Sequence, residues 1–132
     1  MLGSGGMGVV YQASDRQRGV KVALKTLPWL DATGIHRLKQ EFRALVGVAH
    51  PNLIRLHELH SDQERWFFTM DLVSGEPFDS WVRPGGRLSE ERLRPCLSEL
   101  LRGLQAIHAH GKLHRDIKPG NVLVQPNGHL VV

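Results

Sequence analysis

The sequence predicts an α+β fold, in which an antiparallel sheet with one helix is followed by a mainly helical segment. Two β-rich stretches, 9–13 and 20–25, flank a short polar turn, a pattern typical of a hairpin. Two further strands are expected at 53–59 and 65–73, separated by another polar turn. Apolar residues then recur at helical spacing across 93–107, which predicts a long amphipathic helix.

The composition limits the class of protein. Of the 132 residues, 41% are hydrophobic and 23% charged, which is typical of one globular domain and not of a disordered chain. The net charge is +4, but the basic residues are interleaved with acids, so we expect no specific nucleic-acid binding and only weak, salt-dependent contact with DNA. The single cysteine, Cys96, excludes an internal disulfide and favours a cytoplasmic location. No apolar run reaches membrane-spanning length.

A helix is predicted over residues 34–46, with Thr33 as its N-cap. The apolar residues that share one face of this helix are Leu38, Phe42, Leu45 and Val46. Glu41 lies beside that face and not opposite it, where it can form an ion pair with a neighbouring strand. His57 and His60, in the next strand, have no cysteine or carboxylate cluster at ligand spacing. We therefore interpret them as ordinary strand-end residues and predict no metal site there.

A short helix over 78–82 and a loop at 84–86 precede the long helix. Ser89 is expected to cap that helix, and two glutamates follow in its first turn. The helix is expected to end at Gly111. Its apolar stripe is predicted to lie in the core and to carry no chemistry; the stripe consists of Leu93, Leu97, Leu100, Leu101, Leu104 and Ile107.

Three glycines near the start have the spacing Gly-x-Gly-x-x-Gly, at Gly3, Gly5 and Gly8. This spacing alone is a weak signal, because dinucleotide-binding folds share it. Those folds require a helix that begins at the third glycine. Here a strand, a turn and a second strand follow, so the glycines cap a hairpin whose backbone can approach phosphates closely. The same stretch lacks Gly-Lys-Ser/Thr, which excludes a P-loop nucleotidase.

A second polar motif lies near the end, where Asp116, Lys118 and Asn121 fall within six residues. The Pro-Gly pair at 119–120 keeps this stretch in a loop. A carboxylate can accept a proton from a hydroxyl, an ammonium group can neutralise phosphate charge, and an amide oxygen can bind a hard cation such as magnesium. Each residue alone indicates only a polar surface turn, but together they supply the groups needed for phosphoryl transfer.

Several motifs, taken in chain order, resemble those of the catalytic domain of eukaryotic-like (Hanks-type) serine/threonine protein kinases. They are Leu2-Gly3-Ser4-Gly5-Gly6-Met7-Gly8-Val9-Val10, Val22-Ala23-Leu24-Lys25, Ala49-His50-Pro51-Asn52 and His114-Arg115-Asp116-Ile117-Lys118-Pro119-Gly120-Asn121-Val122-Leu123. The resemblance implies a sheet-based N-lobe with one regulatory helix and the hinge at 1–73. It implies the first helices of a helical C-lobe, with the catalytic loop, at 74–132. The Arg/Leu-rich helices are typical of a bacterial source.

The resemblance implies a role for each matching polar residue. Asp116 is expected to orient and deprotonate the substrate hydroxyl, and Lys118 to contact the γ-phosphate. Asn121 is expected to hold a magnesium ion. Lys25 is expected to hold the α- and β-phosphates of ATP while it is paired with Glu41.

The resemblance also assigns the rest of the ATP site. Met70 is expected to be the gatekeeper, and the backbone of Asp71 and Val73 to form hydrogen bonds with adenine. Arg115 is expected to pair with a phosphate on the activation loop. The remaining residues expected to contact ATP are Leu2, Gly3, Gly5, Gly8, Val10, Ala23 and Leu123.

The aspartate of the family's Asp-Phe-Gly motif, its main magnesium ligand, is expected within about three residues after Val132. The resemblance therefore implies part of a kinase that transfers the γ-phosphate of ATP to serine or threonine of a protein substrate. We expect this part to bind ATP and to be inactive alone. The alternative is a non-catalytic nucleotide-binding module, or pseudokinase. The presence of Lys25, Asp116 and Asn121 favours the enzyme.

Overall fold

The computed structural model describes most of the chain, namely residues 1–5, 8–27, 32–62 and 65–132. The chain forms two compact units. The first combines Met1–Gly47 with Arg55–Leu72, and the second combines Val48–Ile54 with Val73–Val132. The first unit is a sheet with one helix and the second is mainly helical, so the predicted α+β class is observed.

The first unit contains a five-stranded antiparallel sheet in the order β1-β2-β3-β5-β4. Its strands are β1 (Gly3–Gly5), β2 (Gly8–Asp15), β3 (Val20–Thr26), β4 (Leu56–Asp62) and β5 (Arg65–Asp71). The β2–β3 hairpin forms as predicted because Asp15 Oδ1 accepts the backbone N–H groups of Gln17 and Arg18, at 2.9 and 3.0 Å, which shapes the turn.

Strand β4 begins three residues later than the sequence predicts, at Leu56 instead of Leu53. The reason is a local turn, in which the N–H of Leu53 donates to the carbonyl of His50 at 3.0 Å. The next N–H, that of Ile54, donates to the carbonyl of Val132 at 2.8 Å. Residues 53 and 54 therefore have backbone partners outside the sheet.

The register of the central strands determines which side chains share a face. Val10 lies opposite Lys25, and Ala23 lies opposite Met70. Residues directly opposite each other lie on the same face, as does every second residue along a strand. Val10, Ala23, Lys25 and Met70 therefore line one face of the sheet.

Helix α1 (Ala32–Leu45) packs on this face. Leu38 is fully buried there, and the ring of Phe42 lies 5.7 Å from that of Phe68 between centroids. The helix begins two residues earlier than predicted, so Thr33 lies in the first turn and is not the N-cap. Because the helical backbone already includes Ala32, the capping position falls before it, outside the described residues.

The second unit contains a three-stranded antiparallel sheet and two helices. The elements are β6 (Glu76–Pro77), α2 (Phe78–Val82), α3 (Glu90–Ala109), β7 (Leu123–Val124) and β8 (Leu130–Val131). Helix α2 has the predicted bounds, whereas the loop expected at 84–86 forms a 3₁₀ turn. Gly75 lies so close to β7 that a Cβ atom there would be 2.7 Å from the carbonyl oxygen of Val124.

The stripe predicted as core on α3 is only partly buried. Ile107 is fully buried, but Leu97 and Leu101 are 42% and 58% exposed. The buried face instead includes Cys96 and Gly103. The prediction was wrong for the two leucines. Neighbouring faces of this helix both carry apolar residues at helical spacing, and the spacing does not show which face packs against the core.

The N-terminus of α3 differs slightly from the prediction. Ser89 occupies the N-cap position, but its side chain forms no capping hydrogen bond. Its carbonyl instead accepts the N–H of Leu93 at 2.9 Å, the first bond of the helix. In the part of the chain that the structure describes, no helix is long and apolar enough to cross a membrane.

Candidate functional site

The first group of candidate residues surrounds Lys25 on the α1 face of the sheet. Its Nζ atom lies 2.5 Å from Oε1 of Glu41, so the expected ion pair is present. The two side chains are only 11% and 15% exposed. Burial of either charge alone would be costly, and the pairing offsets that cost. The pair holds an ammonium group in a defined place beside Val10 and Ala23.

The Gly-rich hairpin leads into this face. Gly8 has φ +123°, and a Cβ atom there would lie 2.5 Å from the carbonyl oxygen of Thr26. Only glycine fits such a site. Gly3 has open space around it, and Leu2 is exposed with its N–H bonded to the carbonyl of Val10 at 2.7 Å. Gly5 pairs with Gly8, and the tip between them lies outside the described residues.

The predicted hinge begins at the end of β5. Met70 is half-buried opposite Ala23. The N–H of Asp71 donates to the carbonyl of Arg55 at 3.0 Å, so the N–H is used within the sheet. Val73 is half-buried. The first unit ends at Leu72, so Val73 belongs to the second unit.

One contact at the predicted hinge is not visible in the sequence. His57 Nε2 lies 2.7 Å from Oδ1 of Asp71, and the histidine side chain is only 8% exposed. His57 Nδ1 is buried and has no hydrogen-bond partner in the described part of the chain. His57 is therefore more than an ordinary strand-end residue. No sequence signal could have revealed this, because the pair forms across two strands whose register is not visible in the sequence.

The second group of candidate residues lies on the loop between α3 and β7. The Asn121 carboxamide donates from Nδ2 to Oδ2 of Asp116 at 2.5 Å and to the Asp116 carbonyl at 2.9 Å. Lys118 Nζ lies 3.1 Å from the same Oδ2 atom. The 3₁₀ turn Pro119–Asn121 brings these groups together. Oδ1 of Asp116 accepts no hydrogen bond from the other described residues, so it can accept one from a substrate.

Arg115 has the only positive φ among the described non-glycine residues, at 67°. This conformation typically costs about 1–3 kcal/mol, and such residues cluster at functional sites. The turn that it makes lets the N–H of Asp116 donate to Nδ1 of the buried His114, at 3.3 Å. The Arg115 side chain is exposed. The backbone strain therefore helps to orient Asp116, a feature the sequence did not predict.

The Asn121 carboxamide is the group in this loop that suits a hard cation. Because Nδ2 faces Asp116, the amide oxygen points away from that carboxylate and is the atom that can bind a metal. Within the described ranges, no group of three or more histidine, cysteine or acidic residues could hold a metal ion. Leu123, the remaining candidate in this unit, is half-buried in β7 opposite Val131.

Residues 1–132 match the family model described as the protein kinase domain. The chain belongs to the protein kinase family. Its motifs place it with the Hanks-type kinase domains, as the resemblance implied.

Curated relatives of this kinase domain occur in distant organisms. The serine/threonine-protein kinase PknA of Mycobacterium tuberculosis is 34% identical over 140 residues, covering 100% of this chain and 32% of PknA. CBL-interacting protein kinase 12 of Oryza sativa subsp. japonica is 36% identical over 135 residues, covering 100% of the chain and 25% of the relative. The chain thus spans a third or less of these proteins. Because relatives occur in both a bacterium and a plant, the bacterial source of this chain stays a prediction.

A solved structure has the same fold as this kinase domain. The crystal structure of Rad53 1–466 in complex with AMP-PNP matches with a TM-score of 0.81 and 27% sequence identity. The match covers 98% of this chain and 35% of the Rad53 chain. The kinase-like α+β class predicted from the sequence is therefore confirmed.

The candidate residues are distributed over both units of the kinase domain. Those in the first unit are Leu2, Gly3, Gly5, Gly8, Val10, Ala23, Lys25, Glu41, Met70 and Asp71. Those in the second unit are Val73, Arg115, Asp116, Lys118, Asn121 and Leu123. In the first unit, the fold brings together candidate residues that are far apart in the sequence. In the second unit, it mainly orders the candidate residues of one loop, 115–121.

Proposed function

We propose that the chain is part of an ATP-dependent serine/threonine protein kinase, with its N-lobe and hinge at 1–73 and its C-lobe from 74 onward. The observation that carries this proposal is the cluster of Asp116, Lys118 and Asn121, held within hydrogen-bonding distance of one carboxylate oxygen. The naming of PknA as a serine/threonine-protein kinase supports the choice of hydroxyl substrate.

The reaction follows from the chemistry of the loop. The hydroxyl oxygen of a serine or threonine in a protein substrate attacks the γ-phosphorus of ATP. The bond from that phosphorus to the β,γ-bridging oxygen breaks, and ADP leaves. Asp116 accepts the hydroxyl proton at Oδ1, because Oδ2 is already bonded to Asn121 and Lys118. The Lys118 ammonium group offsets the charge of the phosphoryl group in transfer.

The nucleotide is assigned to residues in each unit. In the first, Lys25 holds the α- and β-phosphates, and Val10, Ala23 and Met70 offer apolar contacts to the base. In the second, Asn121 would supply an oxygen ligand to magnesium, which neutralises phosphate charge when it is bound. AMP-PNP in the Rad53 structure supports a nucleotide ligand. We assign the reaction to the cytoplasm, because the free cysteine and the ATP requirement fit a reducing, ATP-supplied compartment.

Nucleotide binding is tested by replacing the buried lysine. We expect Lys25→Ala to weaken ATP binding by about tenfold or more, because it removes a charge-assisted contact to phosphate. The matched control is Lys21→Ala, on the same strand, where the lysine is exposed. Isothermal titration with ATP and magnesium measures both affinities. Equal effects of the two substitutions would remove Lys25 from the site.

Phosphoryl transfer is tested on the protein as expressed from its own gene. We expect Asp116→Asn to reduce kcat by roughly 10²–10⁴, the usual contribution of a positioned general base, with little change in ATP affinity. The control is Asp62→Asn, at the exposed end of β4. Radiolabelled phosphate transfer to serine- and threonine-containing proteins provides the rate. A wild-type protein that binds ATP but transfers nothing would instead be a non-catalytic module.

A further inference from the structure

A second polar cluster lies in the second unit, centred on Glu99 of α3. Its Oε2 atom accepts hydrogen bonds from Asn52 Nδ2 at 2.8 Å and from the backbone N–H of Leu130 at 2.7 Å. His129 Nδ1 lies 3.1 Å from the same oxygen. The buried Asn52 also donates from Nδ2 to the carbonyl of Leu130 at 2.8 Å. One carboxylate oxygen therefore joins three parts of the chain.

The other ring nitrogen of His129 also faces an acceptor. Nε2 lies 2.9 Å from the carbonyl oxygen of Pro51, which precedes Asn52. A carbonyl and an ionised carboxylate can only accept, and a neutral imidazole carries only one N–H. Both contacts of His129 can be hydrogen bonds only when the ring is a doubly protonated imidazolium.

We propose that His129 and Glu99 form a proton-dependent clamp. In its imidazolium form, His129 fastens the 50–52 segment, through the Pro51 carbonyl, to Glu99 of α3. When the ring loses one proton, a nitrogen lone pair faces an acceptor oxygen and one of the two links is lost. The clamp rests on these contacts alone and is independent of the proposed kinase reaction.

The titratable groups next to the clamp histidine are Glu99, Cys96 and His50. Glu99 forms no ion pair with lysine or arginine in the described part of the chain, so His129 is the cation that balances its charge. Cys96, on the same helix, is the nearby acid; burial, and then the charge of Glu99, raises the pKa of its thiol. His50 Nδ1 accepts the N–H of Asn52 at 3.1 Å and does not compete for Glu99. The His129 side chain is 32% exposed, so solvent can supply its proton.

The clamp holds a segment with a particular place in the chain. Residues 48–54 connect α1, which carries Glu41, to β4, and they belong to the second unit. Two backbone bonds also tie this segment to Val132: its N–H donates to the Asn52 carbonyl at 3.0 Å, and its carbonyl accepts the N–H of Ile54 at 2.8 Å. The protonated ring adds a charged link to these neutral ones. That link requires the imidazolium form of the ring and weakens when the ring loses a proton.

The protonation state is tested directly on the wild-type protein, with ¹⁵N-labelled histidine and NMR. At pH 6 we expect two ring N–H protons on His129, both exchanging slowly with solvent because both are hydrogen-bonded. His60 is the internal reference: its Nε2 faces only Glu58, at 3.4 Å, and its side chain is 41% exposed. A singly protonated His129 ring, or N–H protons that exchange as fast as those of His60, would overturn the proposal.

The energetic consequence is tested by the pH dependence of unfolding. We expect His129→Gln to destabilise the protein more at pH 5.5 than at pH 8.5. The unfolding constant of the variant divided by that of wild type should therefore fall by about tenfold between these pH values, the scale of one hydrogen bond to a charged group. Glu99→Gln should show the same trend, and His60→Gln should show little. A ratio for His129→Gln that does not change with pH would refute the clamp. If either clamp variant fails to fold, the NMR result on wild type decides.

Discussion

At the scale of single residues, Gly8 shows how a sequence motif becomes a structural requirement. It belongs to the Gly-x-Gly-x-x-Gly spacing, but the structure gives its neighbours different constraints. Gly8 has φ +123° and lies against the carbonyl of Thr26, whereas Gly3 has no atom within 4 Å of a Cβ position. The close approach of β2 to the end of β3 therefore depends on one glycine, and the motif alone does not show which.

We expect Gly8→Ala to destabilise the protein by about 2 kcal/mol or more, because alanine there combines an unfavourable φ with a backbone clash. Gly3→Ala is the matched control and should change the free energy of unfolding by less than about 0.5 kcal/mol. Urea unfolding monitored by tryptophan fluorescence measures both. Similar effects of the two substitutions would contradict the difference in crowding.

At the scale of elements, helix α3 buries one stripe and exposes another. Ile107 is fully buried, and Gly103 lets the helix approach the segment before β4: a Cβ atom there would be 3.2 Å from the Asn52 carbonyl oxygen. Leu97 and Leu101, in contrast, are exposed. The helix thus packs through Ile107 and two small residues, Cys96 and Gly103, and the small residues lie outside the predicted apolar stripe.

Truncation of the buried and the exposed apolar residues of α3 should therefore have different effects. We expect Ile107→Ala to cost about 2–5 kcal/mol, from lost burial and the cavity that remains. Leu101→Ala removes a side chain that is 58% exposed and should cost less than about 1 kcal/mol. The two unfolding free energies, measured under identical conditions, check this. A large loss for Leu101 would mean that this side of the helix is covered in solution.

At the scale of the whole molecule, the exposed apolar residues of the second unit should affect solution behaviour. Besides Leu97 and Leu101, the exposed large residues in this unit include Leu113 and Ile117. Exposed apolar surface of this kind favours association. We expect residues 1–132 to self-associate with rising concentration, and Leu97→Gln with Leu101→Gln to reduce this. Sedimentation velocity measures the effect, and a wild-type chain that remains monomeric would contradict it.

Much of the fold could be predicted from local patterns in the sequence. The β2–β3 hairpin, α2 and the long α3 follow from period, turn residues and helix signals, which act over a few neighbouring residues. The polar groups of the loop at 116–121 are close in sequence, so their proximity was also predictable. The Lys25–Glu41 pair was predicted through the family resemblance and is present as an ion pair.

Contacts between distant segments required the tertiary structure. The His57–Asp71 pair depends on the register of two strands, and the Glu99–His129 clamp depends on how a helix, a strand and a loop meet. The later start of β4 likewise follows from a bond to Val132 at the other end of the chain. The sequence by itself determined the order of elements and the chemistry available to them, because propensity and periodicity are local. Packing decided which side chains became buried or paired, because burial depends on partners that no local pattern identifies.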